Sequence, residues 1–325
     1  MVCDMKEIQI RKNDAGQRLD RFVGKAVPLL PESLLQKYIR LKRIKRNGKG
    51  AKRDVRLVEG DVLQLYINDE FFERPTEQNA WLKIATPRLD IVYEDENILL
   101  ADKKPGVLCH SAGVWDYNTL IANIQAYMAQ KGEWRPKEEN SFAPALCNRI
   151  DRFTGGIVIA AKNEAALKEM DARIRSRQVE KFYLCAVAGR MVPPQGELKN
   201  YLLKEGKRMR VLNREAPGAQ AARTRYRTLA TDGDLSLLEC QLLTGRTHQI
   251  RAQFAAAGHP LIGDTQYGDP KINQAHASHF QQLYSYRIVF RFTGTPGPLE
   301  YLNGQSFQVK KLHRGFEEIV RRMPE

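Results

Sequence analysis

Long apolar runs are missing from this chain, and nowhere does it approach the roughly 20 consecutive apolar residues that a membrane-spanning helix needs. The amino terminus carries Asp4, Lys6 and Glu7 and has no apolar core, so a secretory signal is not expected. Cysteine is sparse. The five thiols, Cys3, Cys109, Cys147, Cys185 and Cys240, are odd in number, far apart and form no Cys-x-x-Cys pair. That spacing argues against a disulfide framework and against a thiolate zinc site, and suits a reducing compartment such as the cytoplasm. A glycine-rich phosphate loop is absent too, so nothing announces a nucleotide cofactor. His276 and His279 are three apart, but two histidines in a polar stretch make a weak metal site. Cys109-His110 is a weak nucleophile–base pair, because neighbours on an extended chain point to opposite faces.

Acidic residues are scarce in one region. Of the chain's 325 residues, the first 67 hold 16 basic and 8 acidic side chains, a surplus of eight out of a formal net charge of +14. Between Lys37 and Arg56 ten basic residues face a single acid, Asp54. A solvated helix face usually mixes signs, whereas a one-sign cluster is the footprint of a nucleic-acid surface. Apolar residues make up 42% of the chain, with 12 Phe and 12 Tyr, so a folded protein is expected, long enough for two domains.

Periodicity divides the chain. Leu19, Phe22, Val23, Ala26 and Val27 recur at helical spacing, and Pro28 closes that helix. A second helix opens at Pro31-Glu32-Ser33. Asn47-Gly48 then predicts a hairpin, and Val62, Leu63, Leu65 and Ile67 a closing strand. Residues 71–89 lack periodicity and read as a linker. Beyond them, strands are predicted at residues 91–93, 98–101, 157–161, 182–187, 237–243 and 287–292. Helices are predicted at 120–128, after an Asn163 cap, and around 249–257. Alternation of Leu238, Cys240 and Leu242 with Glu239 and Gln241 predicts a half-buried strand. Repeated βαβ units are not evident, so the expectation is an α+β protein.

One segment is denser in chemistry than the rest: Asn148-Arg149-Ile150-Asp151-Arg152-Phe153-Thr154-Gly155-Gly156. A carboxylate stands between two arginines, two glycines allow a sharp turn, and the stiff strand Ile157-Val158-Ile159-Ala160-Ala161 follows. This segment resembles the Arg-Leu-Asp-x-x-Thr-Ser-Gly signature of the RluA family of RNA pseudouridine synthases, usually preceded by His. Asn148 stands for the His, Ile150 for the Leu and Gly155 for the Ser. Four further blocks resemble the family in the same order: Lys103-Lys104-Pro105-Gly106-Val107, Lys181-Phe182-Tyr183, Thr244-Gly245-Arg246-Thr247-His248-Gln249-Ile250-Arg251, and Gly263-Asp264 with Tyr267-Gly268.

The resemblance implies an isomerase that turns uridine into pseudouridine without metal, redox cofactor or nucleotide. It implies a mixed, largely antiparallel sheet with a central cleft over residues 90–325. Asp151 matches the essential carboxylate, Arg251 the arginine paired with it, and Tyr183 the active-site tyrosine. Arg149 is implied to help open the RNA where the target uridine leaves its stack, and Arg246 and His248 to shape the loop around Arg251. Residues 14–70, two helices and a basic hairpin, resemble the S-four-like RNA-binding module, a small α/β domain whose Lys45, Arg46, Lys49, Lys52 and Arg53 would follow a phosphate backbone. Lys199, Lys204, Lys207, Arg208, Arg210 and Arg214 make a second basic stretch. The arrangement implies ribosomal RNA of the large subunit as partner. A different class stays open here, an RNA-binding or ribosome-assembly protein without catalysis, as do the exact uridine, attack on sugar or base, and the oligomeric state.

Overall fold

The structure is a computed structural model, and it describes residues 5–11, 14–74, 76–113, 116–136, 142–276, 278, 280–312 and 314–322. It divides into two compact units, one of residues 1–88 with 110–135, the other of 89–109 with 136–325. Residues 110–135 therefore group with the amino-terminal part, although they follow the first strands of the second unit.

In the first unit, β1 (Lys6–Gln9) precedes α1 (Leu19–Ala26) and α2 (Glu32–Arg40), and β2 (Ile44–Arg46), β3 (Lys49–Gly50) and β4 (Val62–Leu65) follow. The sheet order is β1-β4-β2-β3, antiparallel at each contact. Asn47 and Gly48 both take positive φ, 50° and 77°, as a two-residue hairpin turn with right-handed strand twist requires. Leu19, Val23 and Leu35 from the helices meet Ile44, Leu63 and Leu65 from the sheet in one apolar core. Residues 71–89 are not bare linker: two 3-10 turns, Asp69–Phe72 and Ala80–Lys83, bury Phe71 and Ala80. The helix α3 (Leu120–Lys131) starts on a Thr119 cap and stops at Gly132 in the left-handed region. Trp81 meets Trp134 edge to face at 5.3 Å, and Glu77 binds His110 at 2.8 Å.

The second unit is built on one mixed, largely antiparallel sheet, and with its helices it is α+β. In chain order its strands are β5 (Ile91–Glu94), β6 (Ile98–Lys103), β7 (Ala145–Leu146), β8 (Gly155–Ala161), β9 (Val179–Ala188), β10 (Gln195–Glu205), β11 (Arg208–Leu212), β12 (Gln220–Asp232), β13 (Leu235–Leu242), β14 (Leu283–Phe290) and β15 (Ser306–Gln308). The spatial order is β11-β10-β12-β13-β9-β14-β8-β6-β5, with β15 on β14 and β7 on β8. Among the described residues the one parallel contact is β14 against β8, so a strand from late in the chain sits between β8 and β9. Helix α4 (Glu164–Arg175), capped by Asn163 at 2.9 Å, joins those two strands. Further on come α5 (Gln249–Ala256), α6 (Pro270–Ala275) and α7 (Arg314–Arg322).

Both faces of the sheet are covered. Ile157, Ile159, Leu184 and Ile288 pack with Met170 of α4 and Phe316 of α7, while Tyr183, Cys185, Leu238 and Cys240 pack with Ile250 and Phe254 of α5. Two-sided burial corrects the half-buried reading of β13. Glu239 is 8% exposed and buried beside its apolar neighbours, and it accepts hydrogen bonds from Arg227 at 2.7 Å, Arg287 at 3.0 Å and the Tyr286 hydroxyl. A carboxylate is tolerated there because three donors replace its water. Among the described residues no helix is long and apolar enough to cross a membrane.

Candidate active site

Asp151 stands in the turn between β7 and β8, where Thr154 N–H closes back onto its carbonyl at 3.1 Å. Two departures from the signature have a local cause. Asn148 Oδ1 accepts the Ile159 N–H at 2.8 Å and so prolongs the pairing of β7 with β8. A Cβ at Gly155 would collide with the ring of Tyr284, which lies opposite it in the parallel β8–β14 pair, and the Tyr284 hydroxyl is held by Asp102 at 2.7 Å. Gly156, at φ 110°, lies directly against the Ser285 backbone, an approach that only glycine permits.

Arg251 is the third residue of α5, in its first turn, one hundred positions after Asp151. Its Nη1 donates to Asp151 Oδ2 at 2.8 Å. The two-pronged edge of the guanidinium is directed elsewhere: Nε and Nη2 donate to the two oxygens of Asp264 at 2.7 and 3.1 Å, and Nη2 also reaches Gln266 Oε1 at 3.1 Å. Asp151 thus receives one charged hydrogen bond, and Asp264 receives the bidentate pair. The burial explains the choice. The Asp264 side chain is fully buried while that of Asp151 is 27% exposed, so leaving Asp264 unpaired would cost more. Gln266 and Tyr267 N–H also donate to Asp264, at 2.8 and 3.0 Å. Burial pulls against the charged form of Asp264, but Arg251 together with the Tyr267 and Gln266 N–H groups outweighs it and holds the carboxyl below its ordinary range. Burial likewise pulls Arg251 down, and Asp264 with Asp151 raises it above the usual guanidinium value.

Around this pair, Tyr267 lies 5.1 Å from the guanidinium in a cation–π contact, and its hydroxyl accepts from Met209 N–H at 2.7 Å. His248, in the left-handed region at φ 52°, starts α5 with Nδ1 3.0 Å from that hydroxyl and Nε2 3.9 Å from Asp151. Burial, and then Arg251, lowers its pKa against the pull of Asp151, which favours the neutral ring. Tyr183 sits on β9, 5% exposed, and burial pushes its hydroxyl up to about 12, with the charge of Asp151 adding to the rise. A phenol in this setting stays protonated at neutral pH.

The remaining sequence-derived residues are distributed as follows. Arg149 is exposed two residues before Asp151. Arg246 Nε donates to Ala221 O at 3.2 Å, away from Asp151. In the first unit, Lys49, Lys52 and Arg53 are exposed, Lys45 lies 5.1 Å from the Tyr66 ring, and Arg46 is 2.6 Å from the buried Asp61. In the second basic stretch, which forms the β10–β11 hairpin, Arg208 donates to Gln266 O and Arg210 pairs with Glu205 at 3.1 Å. His276 follows α6 and approaches Asp234 at 3.5 Å, while His279 lies outside the described residues. No cluster of three His, Cys, Asp or Glu suited to a metal occurs among the described residues. Sequence reasoning assigned no role to Asp264, Gln266, Tyr267 or Lys103. All but Gln266 were visible as members of motif blocks, but the contacts of Asp264 and Tyr267 with Arg251 and the burial of Lys103 were not.

Comparison with known proteins is consistent with this geometry. The family model described as RNA pseudouridylate synthase matches residues 97–256. The chain is 30% identical over 276 residues to the ribosomal large subunit pseudouridine synthase C of Vibrio cholerae, covering 84% of this chain and 83% of that one. With the enzyme of the same name from Vibrio vulnificus it shares 29% identity over 310 residues, 94% of each. Human RNA pseudouridylate synthase domain containing 4 has the same fold, with a TM-score of 0.57 at 20% identity over 72% of this chain and 94% of that one. With five motif blocks in order and a relative at this level over most of its length, the chain belongs to the RluA family of RNA pseudouridine synthases, isomerases that convert uridine to pseudouridine in RNA.

Proposed function

We propose that this enzyme modifies large-subunit ribosomal RNA, with Asp151 as the catalytic carboxylate, Arg251 as the residue that aims it, and Tyr183 as a hydroxyl that contacts the uracil. The observation that carries this reading is the 2.8 Å bond from Arg251 to Asp151, made by a guanidinium that is itself anchored on the buried Asp264. A carboxylate is useful as nucleophile or base only when ionised and held in reach of the reacting atom. One charge-assisted bond fixes the orientation of Asp151, while its partial exposure leaves the second oxygen open to substrate. The reaction breaks the bond from uracil to ribose and rejoins the base through carbon. It is redox-neutral, so a carboxylate, a proton donor and a fixed geometry suffice in principle.

The ribosomal target is supported by the names of the relatives, which act on the large ribosomal subunit, and a cytoplasmic place of work goes with it. Residues 14–70 are proposed as an S-four-like RNA-binding module, with residues 71–89 joining it to the catalytic part over 90–325. Two helices, a hairpin and the exposed cations Lys49, Lys52 and Arg53 support that reading. A uridine inside paired RNA must leave its stack to reach Asp151, and Arg149, exposed beside it, is proposed to hold the opened strand.

The test has two arms. Mapping pseudouridine in total RNA from cells with and without the gene should show positions in large-subunit ribosomal RNA that disappear with the gene. Loss only at transfer-RNA positions would overturn the target. In the purified enzyme, Asp151→Asn should keep its thermal midpoint and RNA affinity yet show no turnover, because an amide of nearly the same size is neither base nor nucleophile. Turnover above background would remove Asp151 from the mechanism.

A further inference from the structure

Phe153, two residues after Asp151, and Phe280, shortly before β14, stack with ring centroids 5.1 Å apart and planes inclined by 22°. The pair lies outside the core. Phe280 keeps 40% of its surface open, the only phenylalanine among the described residues to do so, and Phe153 is half-buried. Hydrogen bonds hold the two rings in place. The Phe280 carbonyl accepts the Ser278 hydroxyl and the Gln282 side-chain N–H, each at 3.0 Å. Beside it the buried Gln281 donates to Thr154 Oγ1 at 2.7 Å, which fastens residues 280–281 alongside 153–154. Arg152 is exposed, and its guanidinium lies 5.5 Å from the Phe153 ring. Its Nε donates to Gly106 O at 3.1 Å, while its two Nη groups meet no protein acceptor among the described residues.

We propose that Phe153 and Phe280 form a stacking platform for an unpaired base of the substrate RNA, the base next to the target uridine. This rests on the uridine reacting at Asp151. When a uridine leaves its stack, its neighbour loses a stacking partner, and an aromatic ring fixed beside the reacting group replaces it. A ring stacked on one side has its other face to offer, and every base has a π-face to lay on it. Burial separates this base from the target. Tyr183 is 5% exposed and meets a base inserted into the protein, whereas Phe280 meets one that stays at the surface. The charge suits the same occupant. Arg149 and Arg152 are both exposed beside the platform, and the open Nη groups of Arg152 are available to the phosphate that accompanies a base. If the two rings merely shielded one another from water, leucine at position 280 would serve as well, because shielding needs apolar area and no π-face.

The test is the second-order rate constant of the full-length enzyme, from single turnovers at subsaturating enzyme on total RNA from cells lacking the gene. Phe280→Leu should lower it by about five- to 150-fold, the range that the loss of one base–aromatic stack spans. Phe280→Tyr, which keeps the ring, should be at least about fivefold faster than Phe280→Leu. Equal rates for the leucine and tyrosine variants would overturn the proposal. The RNA side supplies a second measurement. In a synthetic stem–loop around one mapped uridine, each flanking nucleotide is made abasic in turn. At one of the two positions the wild type should lose rate while Phe280→Leu loses no more than about twofold, because the contact is already gone. Losses that add at both positions would overturn the platform even if Phe280→Leu were poorly folded. Asp151→Asn runs alongside on the same RNA. If it turns over, the premise falls with the proposal; if it is dead while the leucine and tyrosine variants match, the platform alone falls.

Discussion

Replacing Arg251 by lysine conserves charge and separates aiming from mere counter-charge. In the wild type the guanidinium serves two carboxylates from different edges of one plane, Asp264 through Nε and Nη2 and Asp151 through Nη1. A lysine ammonium is a single point and cannot occupy both edges. Its choice follows from burial. Leaving the fully buried Asp264 without a cation costs about 3–5 kcal/mol, whereas Asp151, 27% exposed, can turn to water. The ammonium should therefore go to Asp264 and abandon Asp151. Losing one charged hydrogen bond, about 1.5–3 kcal/mol, lowers the chemical rate by roughly ten- to 150-fold. RNA affinity should change little, because Arg251 is 7% exposed on its side chain and out of reach of a phosphate. Single-turnover rates at saturating enzyme, with binding measured separately, read the two effects. A lysine variant at near wild-type rate, or one whose rate loss is matched by weakened binding, would refute the aiming role.

Three further outcomes are expected. Replacing Lys49, Lys52 and Arg53 together by glutamine should lower the slope of log affinity against log salt by roughly two to three units if each meets a phosphate, and an unchanged slope would mean that this face is only solvated. Turnover should survive exhaustive chelation and dialysis, because the rearrangement passes no electrons to an acceptor and the reacting group proposed above, Asp151, belongs to the chain itself; loss on chelation restored by one metal would contradict this. For stability, Lys103 has a lower pKa folded, about 8, than unfolded, 10.5, so between those values the unfolded chain binds more protons. Wild-type stability relative to Lys103→Met should thus rise with pH over that window, by about 3 kcal/mol in all, and a difference that stays flat in denaturant titrations from pH 7.5 to 10 would count against the lowered pKa.

How much of this was legible beforehand depends on the range of the signal. Helices α1, α2, α3 and α4 announce themselves through local spacing and caps, and Asn163 caps α4 as its side chain suggests. The strand β12 went unread although its alternation is regular. Its inward residues, Ala222, Thr224 and Tyr226, are too weakly apolar to stand out, and its outward ones are Arg223, Arg225 and Arg227. The strand at 287–292 was placed too late, because Tyr284 and Ser285 are chosen for contact with Gly155 and Gly156, not for apolar pattern. At the site, motif matching reached Asp151, Arg251 and Tyr183, and Lys103 as a block member, but could not see the burial of Lys103 or the direction of the Arg251 fork. Both are facts of burial and angle between segments far apart in sequence.

The position of β14 has a consequence for how the enzyme comes into being. The strand lies between β8, which follows the Asp151 turn, and β9, which bears Tyr183 and borders β13 on the way to Arg251. Asp151 and Arg251 are both synthesised well before Leu283–Phe290, yet the two sides of the sheet have no shared edge until those residues arrive. A nascent chain halted near residue 280 would hold Asp151, Tyr183 and Arg251 and still lack the strand that joins the two sides of the sheet. Isomerase activity is therefore expected only once β14 has been inserted, and its first appearance during translation would set a latest time for that insertion.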